Sequence, residues 1–346
     1  MVDTIAVKGK TRTLDGLKFA EIDFDELIKS GRPCILKGAL NNSALVVAGK
    51  SSNKEAMKHL LSYTSDRPVL NYVADAQAKG RFFYNQKMSG LNFTTEYSSM
   101  AEFFEKLEAQ ITEKSGSSYY IGSANAAEHF PNFLDDDGLQ LTAGIFEEHP
   151  PRVGIWLGNR TTAVTHFDMS NNIAACMVGR RRFTLFPPDQ IENLYPGPFE
   201  PTPGGQVLSM FDLNAPDFKQ FPKARIALEH GEIAELEAGD VLVYPAMWWH
   251  QVEALDNFNV LLNYWWNSVP TYIDDPMNTL LHGLLSLRDR PEHEKEAWRK
   301  LFDFYIFGAP DNTRNHLPEH IWGALAPMNE TISRRLRSRL LKKLNR

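Results

Sequence analysis

Thr165-His166-Phe167-Asp168 is the stretch from which the rest of the chain can be read. A β-strand points residues i and i+2 to the same face. If this segment is a strand, His166 and Asp168 can meet one atom. His250, much later in the sequence, can supply a third ligand from a second strand. Two imidazoles and one carboxylate on one side of a metal leave the opposite positions open, which is the ligand set of non-haem Fe(II) oxygenases. The chain holds 10 histidines, so a lone His-x-Asp arises by chance and the surrounding text must decide.

That text is informative on both sides. Gly239-Asp240 offers a turn, Val241-Leu242-Val243-Tyr244 an apolar strand, and Pro245 ends it ahead of Trp248-Trp249-His250. A histidine just past such a strand sits well at a barrel mouth, although residue type alone also suits ordinary aromatic packing. Between Arg152 and Trp266 short apolar runs are broken by Gly, Pro, Asn and Asp. Candidate strands lie at 154–157, 163–168, 172–178, 182–186, 226–229, 241–244, 251–254 and 259–265. Regular short strands of this kind imply an antiparallel sandwich or barrel. Upstream, helices are expected at 24–30, after Ser51-Ser52 and after Ser98-Ser99, with strands at 34–36, 68–74, 81–85, 93–95 and 117–121. Beyond Pro270 the spacing turns helical, at 276–287, 292–304, 318–325 and 331–344.

Composition sets the outer bounds. With 346 residues, 43% of them hydrophobic, the chain can build one large domain, or one domain and an appendage. A net charge of −6 offers no global field for nucleic acid. Cys34 and Cys176 are the only cysteines, which argues for reduced thiols and a cytoplasmic protein rather than a disulfide scaffold. The start of the sequence lacks a signal-like apolar core, and no run of about 18 apolar residues suggests a membrane span. The last helix carries Ile332, Leu336, Leu340 and Leu344 at four-residue spacing, and the tail from Arg334 to Arg346 holds seven Arg and Lys residues. The basic residues leave open a nucleic-acid or membrane-surface helix, but so narrow a stripe better suits a helix–helix seam, so a homodimer through the C-terminal helices is expected.

The stretches His166–Pro188 and Gly239–Trp265 resemble the cupin-like JmjC family of Fe(II)- and 2-oxoglutarate-dependent oxygenases. Within it they are most similar to the branch of the asparaginyl hydroxylase called factor inhibiting hypoxia-inducible factor. The shared text is His166-Phe167-Asp168, Asn172, Gly179, Leu185-Phe186-Pro187-Pro188-Asp189-Gln190, Leu194-Tyr195-Pro196, Asp212, Pro216-Asp217, Phe221-Pro222, Gly239-Asp240-Val241-Leu242, Trp248-Trp249-His250, Asn263 and Trp265. These motifs cover about a third of the chain.

The resemblance implies a mainly β fold with helices: a double-stranded β-helix, or jelly-roll cupin barrel. N-terminal helices would flank it and a helical C-terminal region would follow. The corresponding divisions are 1–59, 60–267 and 268–346. It implies Fe(II) at His166, Asp168 and His250, with 2-oxoglutarate as cosubstrate and a protein side chain or small molecule as substrate. The family's lysine for the far carboxylate is Arg181 here; strand parity points Arg181 into the barrel and Arg180 and Arg182 out. Arginine can hold a carboxylate with two parallel hydrogen bonds. Tyr120, or Tyr119 one register step away, matches the family tyrosine at the same carboxylate. Asn172 and Asn263 match pocket residues. A family threonine is replaced by Ala163, for which Thr165 or Thr162 would compensate. Arg181 and Ala163 also keep open a different class, a metal-binding cupin-like protein that senses or binds without oxidising.

Overall fold

The computed structural model describes residues 6–16, 22–113 and 116–345. In chain order it runs β1 (Gly9–Lys10), β2 (Arg12–Leu14), α1 (Phe24–Lys29), β3 (Cys34–Leu36), α2 (Ala44–Ser51), α3 (Asn53–Leu61), β4 (Val69–Ala74), β5 (Arg81–Phe82), β6 (Thr94–Ser98), α4 (Met100–Glu113) and β7 (Ser118–Asn125). Three short helices follow: α5 (Ala126–His129), α6 (Phe133–Asp137) and α7 (Gly144–Glu148). Then come β8 (Arg152–Gly158), β9 (Thr162–Phe167), β10 (Asn171–Val178), β11 (Arg181–Phe186), α8 (Ala224–His230), β12 (Glu232–Leu236), β13 (Val241–Tyr244), β14 (Trp249–Ala254) and β15 (Asn259–Trp266). The chain ends with α9 (Pro276–Ser286), α10 (Glu292–Phe302) and α11 (Glu330–Leu344).

Strands β8 to β15 form the jelly roll. Successive strands cross between two sheets, except that β11 and β12 pair within one: the order is β13-β10-β15-β8 in one sheet and β12-β11-β14-β9 in the other. The N-terminal strands extend both sheets at their edges, to nine strands and six. Alternation along β10 shows how the layers arise. Ala174 and Cys176 join the core between the sheets, with Phe183, Leu185, Leu236 and Leu242. Ile173, Ala175 and Met177 face the other way, into a second core built with side chains from α1 to α4 and from the 126–146 segment. A strand covered on both faces reads as an unbroken buried run, and all eight residues of β10 are buried. Serine caps start the covering helices: Ser43 accepts from the amide of Val46, and Ser52 from that of Glu55. Helix α2 can lie close on β10 because a Cβ at Gly49 would stand 2.9 Å from Val178 Cγ2.

Several expected elements need correction. Residues 226–229 are not a strand but lie in α8, where Ala224, Ala227 and Leu228 are buried at helical spacing while Ile226 is exposed. The strand comes just after it, as β12, with Glu232, Ala234 and Leu236 buried in alternation. The strand expected at 93–95 is β6, centred a little later, and helix α2 was not anticipated. Residues 318–325 form two 3-10 turns, Glu319–Ile321 and Gly323–Leu325, the second opening on Gly323 at φ +56°.

Two compact units emerge, Met1–Ser268 and Val269–Arg346. The second is helical; among its described residues, Ile332 is the one buried apolar side chain. No helix among the described residues is long and apolar enough to cross a membrane.

Candidate metal centre

Strands β9 and β14 lie side by side, with His166 paired to His250 and Ala163 to Val252. One residue, Gln251, separates the partners on β14, whereas Val164 and Thr165 separate them on β9. The extra residue is a bulge. It lets Ala163 and His166 both face the interior. Asp168 lies just past the end of β9. The two imidazoles stand 4.3 Å apart between ring centroids, and His250 Nε2 is 3.8 Å from Asp168 Oδ2. Candidate ligand atoms of all three lie within 4.8 Å of one another.

The imidazoles are oriented by the backbone. His166 Nδ1 is 2.7 Å from the carbonyl of Val164, and His250 Nδ1 is 3.0 Å from that of Trp248. Since a carbonyl can only accept, each Nδ1 carries the proton and each Nε2 presents a lone pair, the tautomer a metal requires. Burial pushes His250 down to about 4, with His166 adding to the effect and Asp168 opposing it. Its neutral form is therefore the one present near neutral pH.

Asp168 is held from the side. Its Oδ2 accepts from Asn172 Nδ2 and Trp265 Nε1, each at 3.1 Å. Asn172 Oδ1 in turn accepts from Asn263 Nδ2 at 2.6 Å. The sequence-predicted Asn172 and Asn263 thus form one chain of hydrogen bonds that ends on the carboxylate. Below the imidazoles, the Tyr244 hydroxyl stands 3.4 Å from His250 Nε2. Burial holds that phenol well above its usual range, helped by the charge of Asp168 and opposed by a hydrogen bond with Asn263. Tyr244, Trp265 and Trp156 are the pocket residues that the sequence did not assign. Parity with Leu242 was the available signal for Tyr244.

Arg181 enters the interior from the start of β11 and is 2% exposed. Its Nε and Nη2 are buried without a hydrogen-bond partner, and among the described residues no carboxylate pairs with it. Arg180 and Arg182, by contrast, are turned outward and pair with Asp256 and Glu235. Burial lowers the Arg181 pKa, while the charge interactions with Tyr120 and Cys176 act in the opposite sense. Tyr120 is buried beneath Trp156, with ring centroids 5.8 Å apart, and burial raises its phenol. Tyr119 is the other-face neighbour on β7, packed against the outer core. Cys176 is pushed up to about 12 by burial and its thiol donates to the Gly179 carbonyl, so it is an inert packed group. Thr165 is fully buried in the bulge, but its hydroxyl makes no hydrogen bond and does not join the triad.

The donor set fits a divalent cation: two neutral imidazoles, one carboxylate and no thiolate. The stranded guanidinium fits an anion. A buried cation with unsatisfied N–H groups is costly unless a ligand satisfies them.

A family model for the cupin-like domain matches residues 20–272. Among curated proteins, lysine-specific demethylase JMJ31 of Arabidopsis thaliana is 27% identical over 194 residues, 55% of this chain and 30% of that protein. The tRNA wybutosine-synthesizing protein 5 of Gallus gallus is 34% identical over 163 residues, 45% of this chain and 46% of that protein. HSPB1-associated protein 1 of Homo sapiens is 30% identical over 151 residues, 42% and 30% of the respective lengths. The matched segments thus span less than half of each of these relatives. With the jelly roll in place, His166, Asp168 and His250 converging inside it, and most of the chain matched by one domain model, the chain belongs to the cupin-like domain family.

Proposed function

We propose that this protein is an Fe(II)- and 2-oxoglutarate-dependent oxygenase that hydroxylates a protein side chain or a small molecule. The observation that carries the reading is Arg181: a wholly buried guanidinium with unpaired N–H groups, in the same barrel as the metal triad. His166, Asp168 and His250 would hold the iron, and Arg181 with Tyr120 would hold the far carboxylate of the cosubstrate. When bound, the iron couples cleavage of dioxygen to oxidation of 2-oxoglutarate, giving succinate and CO2, with one oxygen atom in succinate and the other inserted into a substrate C–H bond.

The chain's own contribution is positional. The backbone carbonyls of Val164 and Trp248 fix the imidazole tautomers. Asn172 and Trp265 fix the carboxylate of Asp168, leaving its other oxygen without those donors. The apolar lining of Phe183, Leu185, Leu242 and Val252 keeps water from the pocket floor. Arg181 is longer than a lysine and forked, so it matches a planar carboxylate with two bonds. Met247, whose amide donates to the Asp168 carbonyl at 2.8 Å, and Met169 are exposed beside the triad and would meet the substrate. Placement in the asparaginyl hydroxylase branch rests on the motif text alone; relatives named as a demethylase and as a tRNA wybutosine-synthesizing protein are matched as well.

Succinate should form when the purified protein is given Fe(II), ascorbate, 2-oxoglutarate and air, even without a second substrate. His166→Ala and Asp168→Ala are expected to lose this turnover at least about 100-fold. Mixing the components without oxygen should produce a metal-to-ligand charge-transfer band. If neither succinate nor the band appears, the metal-binding reading without oxidation replaces this one.

A further inference from the structure

Beside Arg181 lies a second buried donor that no protein group satisfies. The indole Nε1 of Trp156 is buried and makes no hydrogen bond. Strand β8 explains where it points: Ile155 and Leu157 pack into the outer core, so Trp156 faces the interior, where it packs with Ala163 against the inner core. Trp156 pairs with Leu261, and Leu261 with Cys176. The indole therefore springs from the layer of the barrel that holds the thiol next to Arg181. Its ring stacks on Tyr120 and meets the Trp265 ring at an edge, 6.1 Å between centroids. Tyr120 interacts electrostatically with the Arg181 cation, and Trp265 donates to Asp168. Trp156 thus spans from the anion-attracting end of the pocket to the metal end.

Stacking explains the ring but not the unpaired N–H, since a phenylalanine would stack as well. A buried donor left without an acceptor is destabilising. Ala163, packed against the same inner core, offers no hydroxyl to a ligand in this region.

We propose that Trp156 Nε1–H, together with Arg181, binds the carboxylate at the far end of a short dicarboxylate cosubstrate. The proposal rests on reading the pocket as a 2-oxoglutarate site. Arg181 supplies the charge and the fork. Trp156 supplies one directional, uncharged donor that a ligand lacking the second carboxylate cannot use.

The test uses the full chain loaded with Zn(II), which permits binding without turnover, and two probes: 2-oxoglutarate and 2-oxobutyrate. There are 7 tryptophans, so the indole N–H region of a 15N-labelled spectrum is sparse. The Trp156 signal is identified by its contacts with the Tyr120 ring and by its absence from Trp156→Phe. It is expected to move downfield with 2-oxoglutarate and to stay in place with 2-oxobutyrate. By calorimetry, Trp156→Phe should bind 2-oxoglutarate about tenfold or more weakly, the loss of one hydrogen bond to a charged acceptor. Its Kd for 2-oxobutyrate should not change. An unmoved indole signal and an unchanged 2-oxoglutarate Kd in Trp156→Phe, with binding lost in Arg181→Met, would overturn the role of Trp156 and leave the pocket reading intact. If the wild-type protein itself fails to bind 2-oxoglutarate, both fall.

Discussion

At the scale of single residues, the triad was legible because the i, i+2 spacing sets His166 and Asp168 on one side of the chain, although Asp168 falls just past β9, and because the text from Gly239 to His250 marks the third ligand. Arg181 was legible for the same reason, through parity with Phe183 and Leu185. Trp156 was not: a tryptophan on an apolar strand looks like core, and only packing reveals that its N–H has no acceptor. Buried polar atoms outside the pocket carry a stability cost instead. Glu232 is 6% exposed, and Arg32, itself on the surface, approaches it only to 3.9 Å. Burial raises its pKa. The unfolded carboxyl ionises freely, whereas the folded one resists ionisation, so the penalty applies above the ordinary carboxylate range and vanishes once both states are protonated. Glu232→Gln is therefore expected to raise Tm by about 2–4 °C at pH 7, or ~1 kcal/mol in a domain of this size. The gain should shrink as pH falls toward the ordinary carboxylate range and be gone below about 4. Differential scanning calorimetry across pH checks both sign and window.

At the scale of elements, nearly unbroken apolar runs such as β10, β13 and β15 declared themselves, since their chemistry and burial agree. Residues 226–229 misled because Ile-Ala-Leu has strand-like content, yet the spacing of Ala224, Ala227 and Leu228 is helical and the loop before it gives that helix a surface to cover. Element positions also explain how the pocket is braced. Gly154 on β8 lies opposite Asn263 on β15, and a Cβ there would stand 2.6 Å from the Trp265 ring. Gly154→Ala should therefore displace Trp265 and break its hydrogen bond to Asp168. Metal affinity is expected to fall about 10–100-fold, the usual cost of losing a group that orients a ligand. Titration with Mn(II), followed by electron paramagnetic resonance, measures it; Trp265→Phe should show the same loss, and an unchanged affinity in both would refute the brace.

At the scale of the whole molecule, the helical unit Val269–Arg346 is conspicuous for what it leaves uncovered. Leu285 is 77% exposed, Phe307 75% and Ile306 63%. Leu340 and Leu344 of α11 are also exposed, and Leu336 is half-buried. Apolar surface on this scale is normally covered by a partner, and we propose that a second copy of the chain covers it, related by a twofold axis. Leu340→Glu or Leu336→Glu should yield monomers by light scattering, with a dimer for the wild type; an unchanged particle mass in both variants would refute the seam. The periodicity of α11 was plain in the sequence, whereas the exposed Ile306-Phe307 pair was not, because apolar content does not say which atoms stay wet.

The pairing of His166 with His250 across adjacent strands has one further effect. Both imidazoles belong to the same ladder of backbone hydrogen bonds, one strand apart, so any fraying that parts β9 from β14 also parts the donors. A cation seated between them acts as a clasp on that seam, and the occupied jelly roll opens less readily at its mouth than the empty one.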